Sequence, residues 1–376
     1  MNDGLTVRLE PLPARKTLAS LWHQLDARDG GSFFTTWPWI GTWLSVLPPR
    51  IEPKLLRIER GRETLGAAIA VYRRVRRHRV VAVRQLHLNA TGDERLDGLT
   101  IEHNGFAGCD PSTPEPWRAL VDWLRSGVEV EEMCIGGVGG EAALPAPRQQ
   151  TIVRRSVPVP AYRVDLTRLA TGDGLLETAL SANSRQQLRR AMRAFKAHGP
   201  LAIEEARTPE TALRFFDGLK ALHVRSWTRR ARPHAFANPF FERFHRALIG
   251  HGASQADVQL LRVTAGTFLI GFLYNFRRGG CVYAYQSGLE DSDARLRPGY
   301  VAHALAIEHN YAAGEKVYDF MAGANRLKQS FATERYMMEW HVFQRSLLRF
   351  QAEELARGAR DAFRSAVSRL RQLNLR

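Results

Sequence analysis

The chain has 376 residues, long enough for two domains that each bury a core. At 44% hydrophobic and 24% charged it has the composition of a globular protein, which argues against a disordered or fibrous chain. Lys+Arg number 54 against 38 Asp+Glu, and the formal charge of +16 favours polyanionic partners: phosphate-bearing cofactors, nucleic acid or an anionic membrane face.

In chain order, the first half reads as mixed α/β. A helix is predicted near 14–27. It leads to SFFTTWPWIGTWLSVLPP, where Phe33, Phe34, Trp37, Trp39 and Trp43 cluster. LLRIERG and ETLGAAIAVYRRV read as antiparallel strands turning at Gly61. The basic run RRVRRHR breaks into a further strand, VVAVRQLHL. Residues 88–108 are polar, glycine-punctuated and dense in carboxylates. A helix over 114–126 and a strand at VEEMCIGGV follow, and the small, proline-containing 139–150 is the candidate linker. Cys109, Cys134 and Cys281 lie far apart without metal spacing and predict reduced thiols. No apolar run reaches membrane-spanning length, and the N-terminus lacks a signal core; a cytoplasmic protein is expected.

The second half opens on strand YRVDL. Ser181 caps a basic helix ended by Gly199-Pro200, and Thr208-Pro209-Glu210 starts another that runs to about His223. A helix near 238–250 precedes three strands: VQLLRVT, TFLIGFLYNFR and CVYAYQSG. Then come an Arg-rich turn with Pro298-Gly299, a helix, a strand ending in Asp319, a glycine loop to Lys328, and the final strand or pair ERYMMEWHVFQRS. Residues 347–376 repeat apolar positions at helical spacing among many arginines. That predicts a basic amphipathic helix packed on the domain, with contact to an anionic membrane as the second reading.

Several of these residues carry chemistry. A helix opening behind a tight basic loop presents free backbone N–H groups and a positive dipole end, a cradle for a pyrophosphate. Arg295 and Arg297 add charge, and Gly299 and Tyr300 begin the helix. Gly288 allows backbone to approach a ligand closely. Asp319, at a strand end, is placed to orient or deprotonate an ammonium group, and Lys328 to bind a phosphate or neutralise an oxyanion. In the first half Asp97, Glu102, His103 and Asn104 stand out. Strand alternation would send Glu102 and Asn104 to one side, with Glu102 as a second candidate base. Arg185 (on one face with Arg189 and Arg193), Trp227 and Tyr285 are candidate substrate-binding groups.

The order of SRQQLRRAMR, ALHVRSW, YAYQSG, LRPG, KVYDFMAG and NRLKQSF resembles GNAT acetyltransferases. The likeness is to the branch that includes proteins named for cellulose biosynthesis and is related to Fem-type peptidoglycan-bridge transferases. It covers about 160–340, and the first half looks like a degenerate copy. The loop departs from the family pattern in having Pro298 where a glycine is usual. The resemblance implies an α/β (α+β) fold of two GNAT-like domains, 1–150 and 151–346, each a mostly antiparallel sheet flanked by helices, followed by the 347–376 helix. It further implies an N-acyltransferase with acetyl-CoA or acyl-CoA as donor and no metal. The acceptor would be an amine of an envelope, sugar or long-chain (sphingoid-like) lipid precursor. An aminoacyl-tRNA donor and a non-catalytic module in polysaccharide biosynthesis are the competing readings.

Overall fold

The computed structural model describes residues 4–353, except 29–30, 78–80, 100, 128, 146–151, 170–178, 251–256 and 292–295. The first half runs β1 (Thr6–Pro11), α1 (Arg15–Asp26), α2 (Trp37–Val46), β2 (Pro53–Arg60), β3 (Glu63–Arg77), β4 (Val81–Leu88), α3 (Pro114–Ser126), β5 (Glu132–Gly139) and β6 (Ile152–Asp165). After α4 (Ala182–Lys196) the same order returns. It comprises β7 (Leu201–Glu205), α5 (Pro209–Arg229), α6 (Pro239–Gly250), β8 (Val258–Ala265), β9 (Phe268–Arg278), β10 (Cys281–Leu289), α7 (Pro298–Ala312), β11 (Val317–Ala322), α8 (Arg326–Phe331) and β12 (Glu334–Arg345).

The strands form one sheet in the order β1-β2-β3-β4-β5-β12-β6-β11-β10-β9-β8-β7. Each half contributes an antiparallel meander and then one parallel step, β4 to β5 and β10 to β11, bridged by a helix. The closing strands are exchanged. β6, which follows β5, lies beside β11; β12, which follows β11, lies between β5 and β6. This exchange ties the two repeats together through main-chain hydrogen bonds.

Period-2 alternation divides the core. On one face Leu55, Ile69, Leu260 and Tyr274 meet α1, α2, α5 and α6; on the other Leu56, Ala68, Leu261 and Leu273 meet α3, α4 and α7. Helix starts follow the capping chemistry of the sequence. Ser181 Oγ accepts the N–H of Ser184, Thr208 Oγ1 that of Thr211, and Asn325 Oδ1 that of Lys328. The Phe33–Trp43 cluster is core: Phe33, Phe34 and Trp39 are fully buried, and Phe33 stacks on Phe276 at 4.4 Å. Phe33, Phe34 and Trp39 join the two halves as core, while Trp37 is only partly buried. The predicted C-terminal helix begins after Leu347, with Phe350 buried; its greater part, 354–376, lies outside the described residues.

Candidate active site

The parallel pair β10–β11 is joined only from Cys281↔Val317 to Tyr283↔Asp319, after which the two strands part. At that point β11 bulges against β6, between Asp319 and Ala322, with Met321 at φ +64°. The bulge turns the Met321 N–H onto Asp319 Oδ1 at 2.6 Å. It also turns the Ala322 N–H outward, where Glu102 of the first half accepts it at 2.7 Å. Lys328, in the first turn of α8, donates to the carbonyls of Met321 at 3.3 Å and Ala322 at 2.6 Å. The three residues expected to carry catalysis, Asp319, Lys328 and Glu102, thus converge where the strands separate.

Two further groups complete the cluster. Tyr336 of β12 donates to Asp319 Oδ2 at 2.7 Å. His103, held at φ +52°, places Nε2 3.2 Å from Asp319 Oδ2 and Nδ1 3.3 Å from Glu141 Oε1. Asp319 is 1% exposed and Glu102 5%. Burial raises the Glu102 carboxyl, opposed by the Ala322 N–H and the Lys328 charge. Burial likewise lowers the Lys328 ammonium, against Glu102 and Asp319. Burial alone would lower His103, but its bonds to Asp319 and Glu141 prevail and push it up to about 10. The cluster is a protonated imidazole clamped between carboxylates, beside a second carboxylate whose proton affinity is enhanced and an amine whose proton is loosened. Such a set can accept a proton from an ammonium and stabilise a developing oxyanion.

Glu102 and Asn104 do not share a strand face as expected. Residues 101–106 are loop, and the left-handed His103 between them sends Glu102 to β11 and Asn104 inward. Asn104 accepts from Asn89 Nδ2 at 2.8 Å and donates to Leu88 O at 3.0 Å, so its amide holds the loop. Asp97 is occupied in the same way, accepting from Thr91 N, Thr91 Oγ1 and Gly92 N at 2.6–2.8 Å. Gly288 faces protein: a Cβ there would stand against the Leu219 carbonyl of α5, so the glycine is required by helix packing. Tyr285 turns into the core, its hydroxyl bonded to Leu99 O and 3.2 Å from His245 Nε2. Trp227 stacks on His223 at 5.3 Å.

Arg295 lies outside the described residues. Arg297 precedes α7 in the left-handed region, bonded to Gln187 and 5.4 Å over the Tyr300 ring. The Tyr300 hydroxyl is 2.9 Å from Ser330 Oγ, and Gly299 lies tight against Leu327. Pro298 has no N–H and the Tyr300 N–H is bonded to Arg297 O, so this helix end presents fewer free donors than the cradle reading assumed. Arg185 is half-buried, with a 3.4 Å bond to Leu180 O. No group of three or more metal-ligating side chains occurs among the described residues.

Residues 182–329 match the family model of the acetyltransferase (GNAT) domain. This segment is a GNAT acetyltransferase domain. It contains α4 through most of α8, hence the β10–β11 splay, Asp319 and Lys328, and it marks the protein as an acyltransferase. Among solved structures, FemX superposes with a TM-score of 0.55 at 11% identity, covering 93% of this chain and 99% of its own. A conserved protein from Bacteroides thetaiotaomicron gives 0.54 at 10% identity, covering 90% and 100%. At such identities they establish a shared fold along nearly the whole chain. No curated protein matches the sequence. Glu102, His103 and Tyr336 lie outside the matched segment and join the GNAT domain's site from the first half and from β12.

Proposed function

We propose that the protein transfers an acyl group from a coenzyme A thioester to a primary amine, with units 1–150 and 151–346 closing on the site from either side. The observation that carries this reading is the meeting of two buried carboxylates from different repeats, Asp319 and Glu102, beside Lys328 at the end of the β10–β11 splay. Beyond the splay the β11 main chain is taken up by Asp319, Glu102 and Lys328, so the donor would bond the β10 edge, and the thioester carbonyl would lie at the gap. The acceptor amine enters beside Asp319. Asp319 or Glu102 takes its proton as nitrogen attacks the thioester carbon. Collapse of the tetrahedral adduct releases coenzyme A as a thiol, the amine's lost proton balancing the thiolate. Lys328 stabilises the oxyanion, and the Tyr336 hydroxyl, its one proton given to Asp319 Oδ2, holds that carboxylate in place. Arg295, Arg297, Gly299 and Tyr300 form the donor's phosphate side, and Arg185 and Trp227 lie on the acceptor's side; Gly288 and Tyr285 act as scaffold, the one by admitting α5 and the other through its bonds in the core. Asp97 and Asn104 act through the loop that presents Glu102. No helix among the described residues is long and apolar enough to cross a membrane, so a lipid-like amine would have to be met at a membrane face or in solution.

Thiol release from acetyl-, decanoyl- and palmitoyl-CoA against a panel of sugar, peptide and long-chain amines tests the proposal. Amine-dependent thiol release that Asp319→Asn or Glu102→Gln reduces at least a hundredfold supports it. Absence of thiol release, with transfer from an aminoacyl-tRNA instead, would replace the donor.

A further inference from the structure

The first half repeats the splay of the catalytic half without its acid. β4 and β5 run parallel and pair over three positions, Gln85↔Glu132 to His87↔Cys134, as β10 and β11 do. Beyond that point β5 bulges against β12. Its register jumps between Ile135↔His341 and Val138↔Glu339, and Gly137 stands at φ +69°. The catalytic half jumps likewise between Asp319 and Ala322, with Met321 at φ +64°. Counted along the two bulges, Ile135 occupies the position of Asp319, and Gly137 that of Met321. The shape has been kept and the carboxylate replaced by a hydrocarbon.

Where β4 and β5 part, a cavity of about 430 Å³ opens, within the size range of small-molecule sites. Its walls include Trp43, Leu96, Ile101, Ile135 and the indole of Trp340, with Val157 beside them. Gly136 is needed for that indole: a Cβ there would lie 2.7 Å from Trp340 Cδ1. Val157 is 64% exposed, one of few large apolar side chains left in water, and it leaves an apolar approach to the cavity. One polar group in the wall is unspent. His341 is 2% exposed, and its Nδ1 is buried without a hydrogen-bond partner. Burial and nearby Arg154 lower this imidazole to about 4, so it is neutral. Its Nε2 lies 3.4 Å from Glu339 Oε2. A proton on the nitrogen facing that carboxylate leaves Nδ1 as an acceptor. An unmet buried acceptor in an apolar cavity favours a ligand that brings a donor. The other acid of the wall, Asp97, is already bonded to Thr91 and Gly92, and no free charge faces the space to bind an ion.

We infer that this second splay is a binding site for an uncharged amphiphile, an aliphatic chain whose hydroxyl or amide N–H bonds His341 Nδ1. The site stands on its own geometry and requires no acyl transfer.

Calorimetric titration of the full chain with 1-decanol, and with decyl methyl ether as its donor-less partner, tests the inference. Saturable one-to-one binding is expected, with decanol about tenfold tighter than the ether. His341→Phe should bring the two ligands to equal affinity while retaining binding of both. Ala90→Phe, which fills the cavity from the β4 side, should abolish both, with circular dichroism and melting confirming that each variant is folded. Absence of saturable decanol binding would overturn the inference. So would binding that survives Ala90→Phe, or a decanol preference unaltered in His341→Phe; should that variant not fold, His341→Leu, which likewise lacks an acceptor, serves in the same comparison. These readouts involve no thioester, so their failure leaves the acyl-transfer reading untouched, and the converse holds.

Discussion

If His103 is an imidazolium clamped by Asp319 and Glu141, stability must depend on pH in a particular direction. Its proton affinity rises from an ordinary 6.5 to about 10 on folding. The raised value means that its stabilisation is complete below 6.5 and is lost as pH climbs toward 10, because the unfolded chain gives up the proton first. Across that window each pH unit costs about 1.4 kcal/mol, so between pH 7 and 9 the loss from this residue is about 2.5 kcal/mol. The histidines whose affinities are lowered, His87, His223, His245, His303 and His341, are neutral on both sides of folding above pH 7 and add no slope there. Urea unfolding at pH 7, 8 and 9 should show the decline in the native protein. His103→Gln should be less stable at pH 7 and decline distinctly less to pH 9, the remaining slope coming from the thiols that burial holds protonated, Cys109, Cys134 and Cys281. A native protein equally stable at pH 7 and 9, or a His103→Gln variant with the same slope, would refute the clamp.

Other substitutions separate chemistry from scaffold. Asp319→Asn and Glu102→Gln should each lower the chemical rate by about 10²–10⁴ if they handle the proton, and Asp319→Asn should also lower the melting temperature by loosening the His103 clamp, so rates are compared below the melting range of each variant. Gly288→Ala forces a methyl against the Leu219 carbonyl and should destabilise by about 1–3 kcal/mol, read by denaturant unfolding, whether or not the donor is bound. Phe34→Ala removes a fully buried ring packed on Trp39 at 4.9 Å and Tyr283 at 5.6 Å, and should cost about 3–5 kcal/mol by the same measurement.

Local signals carried much of the fold. The β8–β10 meander and the Ser181 and Thr208 helix starts are written in alternation, capping residues and turns, and are found; the strand expected to end in Asp319 bulges there and continues to Ala322. β6 was legible only at YRVDL, because Pro158 and Pro160 interrupt its first part. In the sheet both prolines are paired with β12, opposite Glu339 and Met337, and the strand continues through them. The exchange of β6 and β12 has no local signal, since it depends on pairing between distant segments. For that reason Tyr336 went unrecognised beside Asp319; Glu141 meets His103 within the first repeat, through a loop contact 38 residues apart in sequence that no local pattern marks. Asp319, Lys328 and Glu102 stand out in the sequence because acids and amines near a strand end or in a glycine-bounded loop suggest chemistry individually, and the structure brings the three together. Glu102's direction was misjudged because one positive-φ residue, His103, breaks the alternation on which it relied.

The donor is the central claim, and thermal unfolding with coenzyme A, acetyl-CoA and palmitoyl-CoA tests it most directly, on the native chain and on Arg297→Ala. A thioester at 100 times its Kd should stabilise the protein by about 2.7 kcal/mol, with the shift much reduced in the variant. No shift with any of the three ligands at millimolar concentration would contradict the coenzyme A assignment.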